Sequence, residues 1–146
     1  MTTHAISVEY IEVRRPVSIL RVYGRVDATN YLELIDSARE IYAAGTRYIL
    51  VDMRGVTQVS SAGLMALHSV AVLFRGGTPP DPESGWDAFH TLAEDLDRGI
   101  KSNFKLLNPQ PQVRQVLDMV GFTTYLEIYP DLEAALVAWN LTATDV

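Results

Sequence analysis

Val51-Asp52-Met53-Arg54-Gly55-Val56-Thr57-Gln58-Val59-Ser60-Ser61-Ala62-Gly63-Leu64 is the stretch whose reading decides the fold of this chain. The residues leading into it, Tyr48-Ile49-Leu50-Val51, form a continuous apolar run, as a central strand covered on both faces requires. The pattern predicts a strand ending at Asp52, a loop from Met53 to Ser60 and a helix opening on two serines. The first helical turn leaves backbone N–H groups without intrahelical partners, and the helix dipole places partial positive charge there. A phosphoryl group on a serine at that point would be held by those donors and would change the local charge by about −1.5 to −2 at pH 7. This chemistry suits a reversible switch better than a catalyst.

Outward from this stretch, strands and helices alternate. Ser7–Val13 and Val17–Arg25 are rich in β-formers and flank Arg14-Arg15-Pro16, which predicts a hairpin. Asp27 is placed to cap a helix carrying Tyr31, Leu34, Ile35, Ala38, Ile41 and Tyr42 at helical spacing, with Gly45 closing it. After Ser61, Leu64, Leu67, Ala71 and Phe74 mark one helical face, and Met65, Val70, Val72 and Leu73 make that helix apolar nearly all round. Such a helix must be largely buried, in the core or against a partner.

A strand is expected at Asn103–Leu107. A helix capped by Asn108-Pro109 then carries Val113, Val116, Leu117 and Val120 and ends at Gly121. Tyr125–Tyr129 reads as the last strand, and Pro130-Asp131 starts a closing helix with Leu132, Ala135, Leu136 and Trp139 inward. Alternating elements of this kind give an α/β layered domain, and the opening hairpin makes its sheet mixed.

Composition bounds the function. The chain has 146 residues, enough for one domain, with 48% apolar and 21% charged residues. It contains no cysteine, which excludes disulfides, zinc–thiolate sites and thiol catalysis. His4 and His90 have no companions at ligand spacing, so no metal or cofactor is expected. No apolar run approaches the roughly 20 residues of a membrane helix, and Met1–Ile6 lacks the basic and apolar regions of a secretion signal. These features point to the cytoplasm. The net charge is −6, and no basic face is evident that would attract nucleic acid or an anionic membrane.

Enzyme motifs are missing as well. Val59 stands where a hydrolase elbow centred on Ser61 needs glycine, and no phosphate-binding glycine motif occurs. His68 lies seven residues after Ser61 on the same helical face and reads as a packed histidine rather than a base.

The order β-β-α-β-α-β-α-β-α, with Gly24-Arg25-Val26-Asp27 before the first helix and Asp52-Met53-Arg54-Gly55-Val56 leading to Ser61-Ala62-Gly63-Leu64, resembles a STAS domain. The branch it resembles is the bacterial anti-sigma factor antagonists, and Pro109–Leu117 with Gly121-Phe122 resembles that family's penultimate helix. The resemblance implies a layered α/β domain with about five strands in a mixed sheet and four main helices. It implies a non-enzymatic protein–protein switch that binds an anti-sigma factor of the serine-kinase type and thereby regulates sigma-factor-dependent transcription. The kinase would phosphorylate Ser61 and end the binding, and a phosphatase would restore it. Asp27 would stand beside that serine, and the partner would touch Asp27, Ser60, Ala62, Gly63 and Met65. Gly63 would allow close approach at the helix start, with Leu64 anchoring the helix in the core. A STAS domain used only for docking, in a sensory complex or a transporter, is the alternative.

Two features depart from the family pattern. Ser60 replaces the Asp that commonly precedes the phosphorylated serine. After Arg75-Gly76-Gly77, where relatives pass straight to the next strand, about 78–102 is inserted. The insertion opens with the breakers Thr78-Pro79-Pro80-Asp81-Pro82. An acidic helix is expected behind Ser84, with an apolar seam of Trp86, Phe89, Ala93, Leu96 and Ile100. That seam would pack on the parent domain, or dock a basic partner or a second copy of the chain to form a homodimer.

Overall fold

The computed structural model describes residues 4–75, 103–124 and 126–141. Strands β1 (His4–Glu12) and β2 (Pro16–Val26) form the expected antiparallel hairpin, with Val8 opposite Leu20 and Ile11 opposite Val17. β3 (Tyr48–Val59), β4 (Phe104–Leu107) and β5 (Glu127–Tyr129) follow in parallel register, giving one sheet in the order β1-β2-β3-β4-β5. The sheet is mixed, as the hairpin demanded.

The expected loop from Met53 to Ser60 is instead strand. β3 continues to Val59 alongside β2, pairing Tyr23 with Gly55, Gly24 with Val56 and Val26 with Val59. Its register on β2 shifts between Arg21 and Tyr23 and again between Gly24 and Arg25. Such bulges insert residues without ending a ladder. They let Met53, Val56 and Val59, three residues apart, all be buried, which erases the period-two signature of a strand.

Among the described residues, four helices pack on this sheet: α1 (Tyr31–Ala43), α2 (Ser61–Phe74), α3 (Pro111–Met119) and α4 (Leu132–Ala138). The first three share one face. Leu34, Ile35 and Ile41 of α1, Leu64, Leu67 and Val70 of α2, and Val113 and Leu117 of α3 join Leu20, Val22, Ile49 and Val51 in one core. Tyr42 and Phe74 meet edge to face across α1 and α2, with ring centroids 5.4 Å apart. On the other face Ala135 and Leu136 of α4 cover Val17, Ile19, Leu50 and Leu107.

Gly45 and Gly121 sit past α1 and α3 at φ +106° and +83°, the left-handed conformation in which glycine ends a helix without strain. Asp131 caps α4 as expected, accepting the Ala134 N–H at 2.8 Å. The start of α3 differs: Gln110, not Asn108, is its cap. A residue before proline is pushed out of the helical region, and Gln110 before Pro111 is extended at φ −63°, ψ 154°. The expected acidic helix at 78–102 lies outside the described residues.

Candidate functional site

Parallel strands bring their C-terminal ends to one edge of the sheet, and here β2 and β3 each deliver a loop and a helix start to that edge. Val26 pairs with Val59, and the Ser60 N–H donates to the Val26 carbonyl at 2.9 Å. Asp27 follows Val26 and Ser61 follows Ser60, so the two loops lie side by side. The sequence reading placed Asp27 next to the serine pair, and the backbone brings them together.

Asp27 does not cap α1 directly. Its carboxylate accepts the Thr29 N–H at 2.9 Å and the Thr29 hydroxyl at 2.5 Å, an Asx turn that uses the cap before the helix begins. The helix starts at Tyr31, behind Asn30. Asn30 is buried; its Oδ1 accepts the Asp27 N–H at 2.9 Å and its Nδ2 donates to the Arg25 carbonyl at 2.9 Å. Sequence reasoning passed over Asn30, the residue that fixes the loop. A buried amide must find partners for its donors and acceptor, and the nearest are the backbone groups of its own turn.

At the start of α2, Ser60 is extended and its hydroxyl accepts the Gly63 N–H at 3.4 Å, so Ser60 is the cap and Ser61 the first helical residue. Ser61 is exposed and Ala62 half-buried. No acidic residue occupies this first turn. Gly63 is buried against both strands: a Cβ there would lie 2.7 Å from the Val26 carbonyl oxygen and 2.8 Å from Cγ1 of Val59. The close approach expected of Gly63 is therefore present, and only glycine permits it.

Met65, expected to face a partner, is buried at 6% exposure, and Val72 is buried too. From Gly63 to Phe74 every residue of α2 except Leu73 is buried, because a helix apolar all round is driven out of water on every side. The exposed apolar residue of this region is Leu32, in the first turn of α1, at 49%. Its signal was in the sequence: it is an apolar residue off the inward stripe of Leu34, Ile35, Ala38 and Ile41.

His68 is fully buried in α2. Burial, with Arg75 adding repulsion, lowers its pKa from 6.5 to about 4, so it is neutral at pH 7 and set within the core rather than beside Ser61. A second cluster that sequence reasoning missed surrounds the buried Lys105 of β4. Its Nζ lies 2.8 Å from Oε2 of Glu127 and faces the rings of Tyr129 and Trp139 at 4.8 and 5.0 Å. The Tyr129 hydroxyl donates to Glu127 at 2.7 Å, and this bond holds its pKa up at about 12. The cluster fastens α4 to the sheet, far along the strands from the serine edge. Among the described residues no group of histidines and carboxylates could hold a metal ion, and no helix is long and apolar enough to cross a membrane.

Residues 10–77, which run from the hairpin through β3 and α2, match the STAS domain family. The protein carries a STAS domain. Solved structures agree with this fold over nearly the whole chain. An anti-sigma factor antagonist from Mycobacterium paratuberculosis is similar at 20% identity over 92% of each chain, with a TM-score of 0.61. The anti-sigma factor antagonist SpoIIAA in its unphosphorylated form, from Bacillus, is similar at 18% identity over 94% of this chain and 99% of its own, with a TM-score of 0.58. Murine Slc26a9, an anion transporter, contains a similar region: 13% identity over 96% of this chain but 22% of the transporter, with a TM-score of 0.56. At these identities what is shared is the STAS fold. No curated protein matches the sequence.

Proposed function

We propose that this STAS domain is an anti-sigma factor antagonist, a cytoplasmic, non-enzymatic protein–protein switch. In this reading its edge at Asp27, Leu32, Ser60, Ser61 and Ala62 binds an anti-sigma factor of the serine-kinase type. Phosphorylation of Ser61 ends that binding, and a phosphatase reverses it. One observation carries the reading: Ser61 is the exposed first residue of a rigidly buried helix, beside a loop pinned by Asn30. The likeness to solved anti-sigma factor antagonists supports the choice of partner.

The mechanism follows from solvation. Unphosphorylated, the edge offers small residues and Leu32 to the partner. Phosphate on Ser61 adds charge and a hydration shell in the middle of that contact. Burying it without a matching arginine opposes association. The fold need not change, because α2 is held by its whole length in the core.

Measuring the affinity of a candidate anti-sigma factor for wild type and Ser61→Asp tests this. The switch predicts weaker binding with the melting temperature nearly unchanged. Equal binding by both proteins refutes it.

The similarity to a region of Slc26a9 favours a second reading, in which the domain docks within a larger assembly and Ser61 only begins a helix. Ser60, in place of an acid before Ser61, suits that alternative. It predicts stable association with an assembly partner that Ser61→Asp leaves intact.

A further inference from the structure

Among the described residues, α4 covers one end of the sheet face on its side, over Val17, Ile19, Leu50 and Leu107. Beyond that point β2 and β3 enclose an open groove of about 330 Å³ lined by Arg21, Val22, Tyr23, Asp52, Arg54 and Gly55. That volume lies within the range of small-molecule sites. Val22 is buried on the opposite face, so strand alternation sets Arg21 and Tyr23 on the groove side.

The charges in the groove are ordered. Arg21 is held between two strands, paired with Glu9 of β1 and, through Nε at 3.5 Å, with Oδ2 of Asp52. The Asp52 carboxylate is buried, and its other oxygen accepts the Arg54 N–H at 3.0 Å. Both carboxylates are thus engaged by groups already present. Arg54 is exposed, and among the described residues its guanidinium has no carboxylate in ion-pair reach. Of the residues that line the groove, Arg21 and Arg54 are positive and Asp52 alone is negative, with Glu9 reaching Arg21 from β1. The Tyr23 ring, 45% exposed, stands over Gly55, where any Cβ would collide with it. Glycine at 55 is what lets a flat aromatic wall lie beside Arg54.

We propose that this groove binds a small, flat, singly charged carboxylate, its oxygens on Arg54 and the free edge of Arg21 and its body against Tyr23. A guanidinium fork matches a planar carboxylate with two parallel hydrogen bonds, and a pinned one loses little freedom on binding. The site lies on the face of the sheet opposite α2 and does not depend on phosphorylation of Ser61.

Benzoate serves as the probe, titrated into the full chain and followed by backbone amide NMR. Saturable shifts are expected at Arg21, Tyr23, Arg54 and Gly55. Arg54→Gln and Tyr23→Ala should each weaken binding roughly tenfold, about 1.4 kcal/mol, at nearly unchanged melting temperature. Ser61→Ala should bind as wild type does. Inorganic phosphate, which lacks a flat body, should bind more weakly. The proposal is overturned by the absence of saturable shifts at these amides, by wild-type affinity in Arg54→Gln, or by phosphate binding as tightly as benzoate.

Discussion

Gly63→Ala tests the geometry of the helix start. The added methyl would sit 2.7 Å from the Val26 carbonyl oxygen and 2.8 Å from Cγ1 of Val59, both well inside contact distance. Neither neighbour can yield easily. The Val26 carbonyl is also the acceptor for the Ser60 N–H, and Val59 is buried in the core. The start of α2 must therefore move outward. Overpacking of this kind costs about 1–3 kcal/mol. Alanine's higher helix propensity offsets up to about 1 kcal/mol of that. The net loss should be about 1–2 kcal/mol, and for a chain of this size that lowers the melting temperature by about 2–8 °C. Differential scanning calorimetry of wild type and variant reads it directly. An unchanged or higher melting temperature would show that Gly63 is not the contact that seats α2 on the two strands.

Other consequences follow from the same structure. His68 has its pKa lowered from 6.5 to about 4, so the unfolded chain takes up the proton first. The stability its neutral form contributes is complete above about pH 6.5 and is lost as pH falls through about 4, a gap equivalent to about 3 kcal/mol. Urea midpoints measured across that window should fall less steeply in His68→Gln, and parallel profiles would contradict the assignment. Lys105→Ala should destabilise more than Lys105→Met, by about 2 kcal/mol. Both variants lose the ion pair to the half-exposed Glu127 and the ammonium's contacts with the two rings, but methionine keeps an apolar stem in place while alanine also opens a cavity. Equal costs in equilibrium unfolding would refute that partition. Leu32→Ala should weaken binding of a candidate anti-sigma factor by about 1–2 kcal/mol without lowering the melting temperature; calorimetric titration with unchanged affinity would remove Leu32 from the interface.

The layered fold was legible because its signals are periodic. The apolar run Tyr48–Val51, the helical stripe of α1, Val113 and Leu117 of α3 and the cap at Asp131 appear where sequence spacing put them, while Val120, expected on the α3 stripe, follows the helix and is exposed. The second half of β3 was not legible: its bulges break the alternation, and Gly55 reads as a turn when it is a gap for the Tyr23 ring. At the candidate site the helix start at Ser60 and Ser61 was legible from its cap pattern, and the close approach at Gly63 was an expectation of the family resemblance. Met65 was misplaced because an all-apolar helix gives no period from which to choose an outer face. Asn30 and Lys105 were missed for a different reason. Their roles depend on what the fold places around them, two backbone groups for the first and Glu127 with two aromatic rings for the second, while Leu32 was legible as an apolar residue off the inward stripe of α1.

The central claim is that Ser61 is the switch. Incubation of wild type and Ser61→Ala with a candidate anti-sigma kinase and ATP, followed by intact-mass measurement, tests it most directly. The account predicts one phosphoryl addition to wild type and none to Ser61→Ala. An addition that persists in Ser61→Ala would place the modification elsewhere and contradict it.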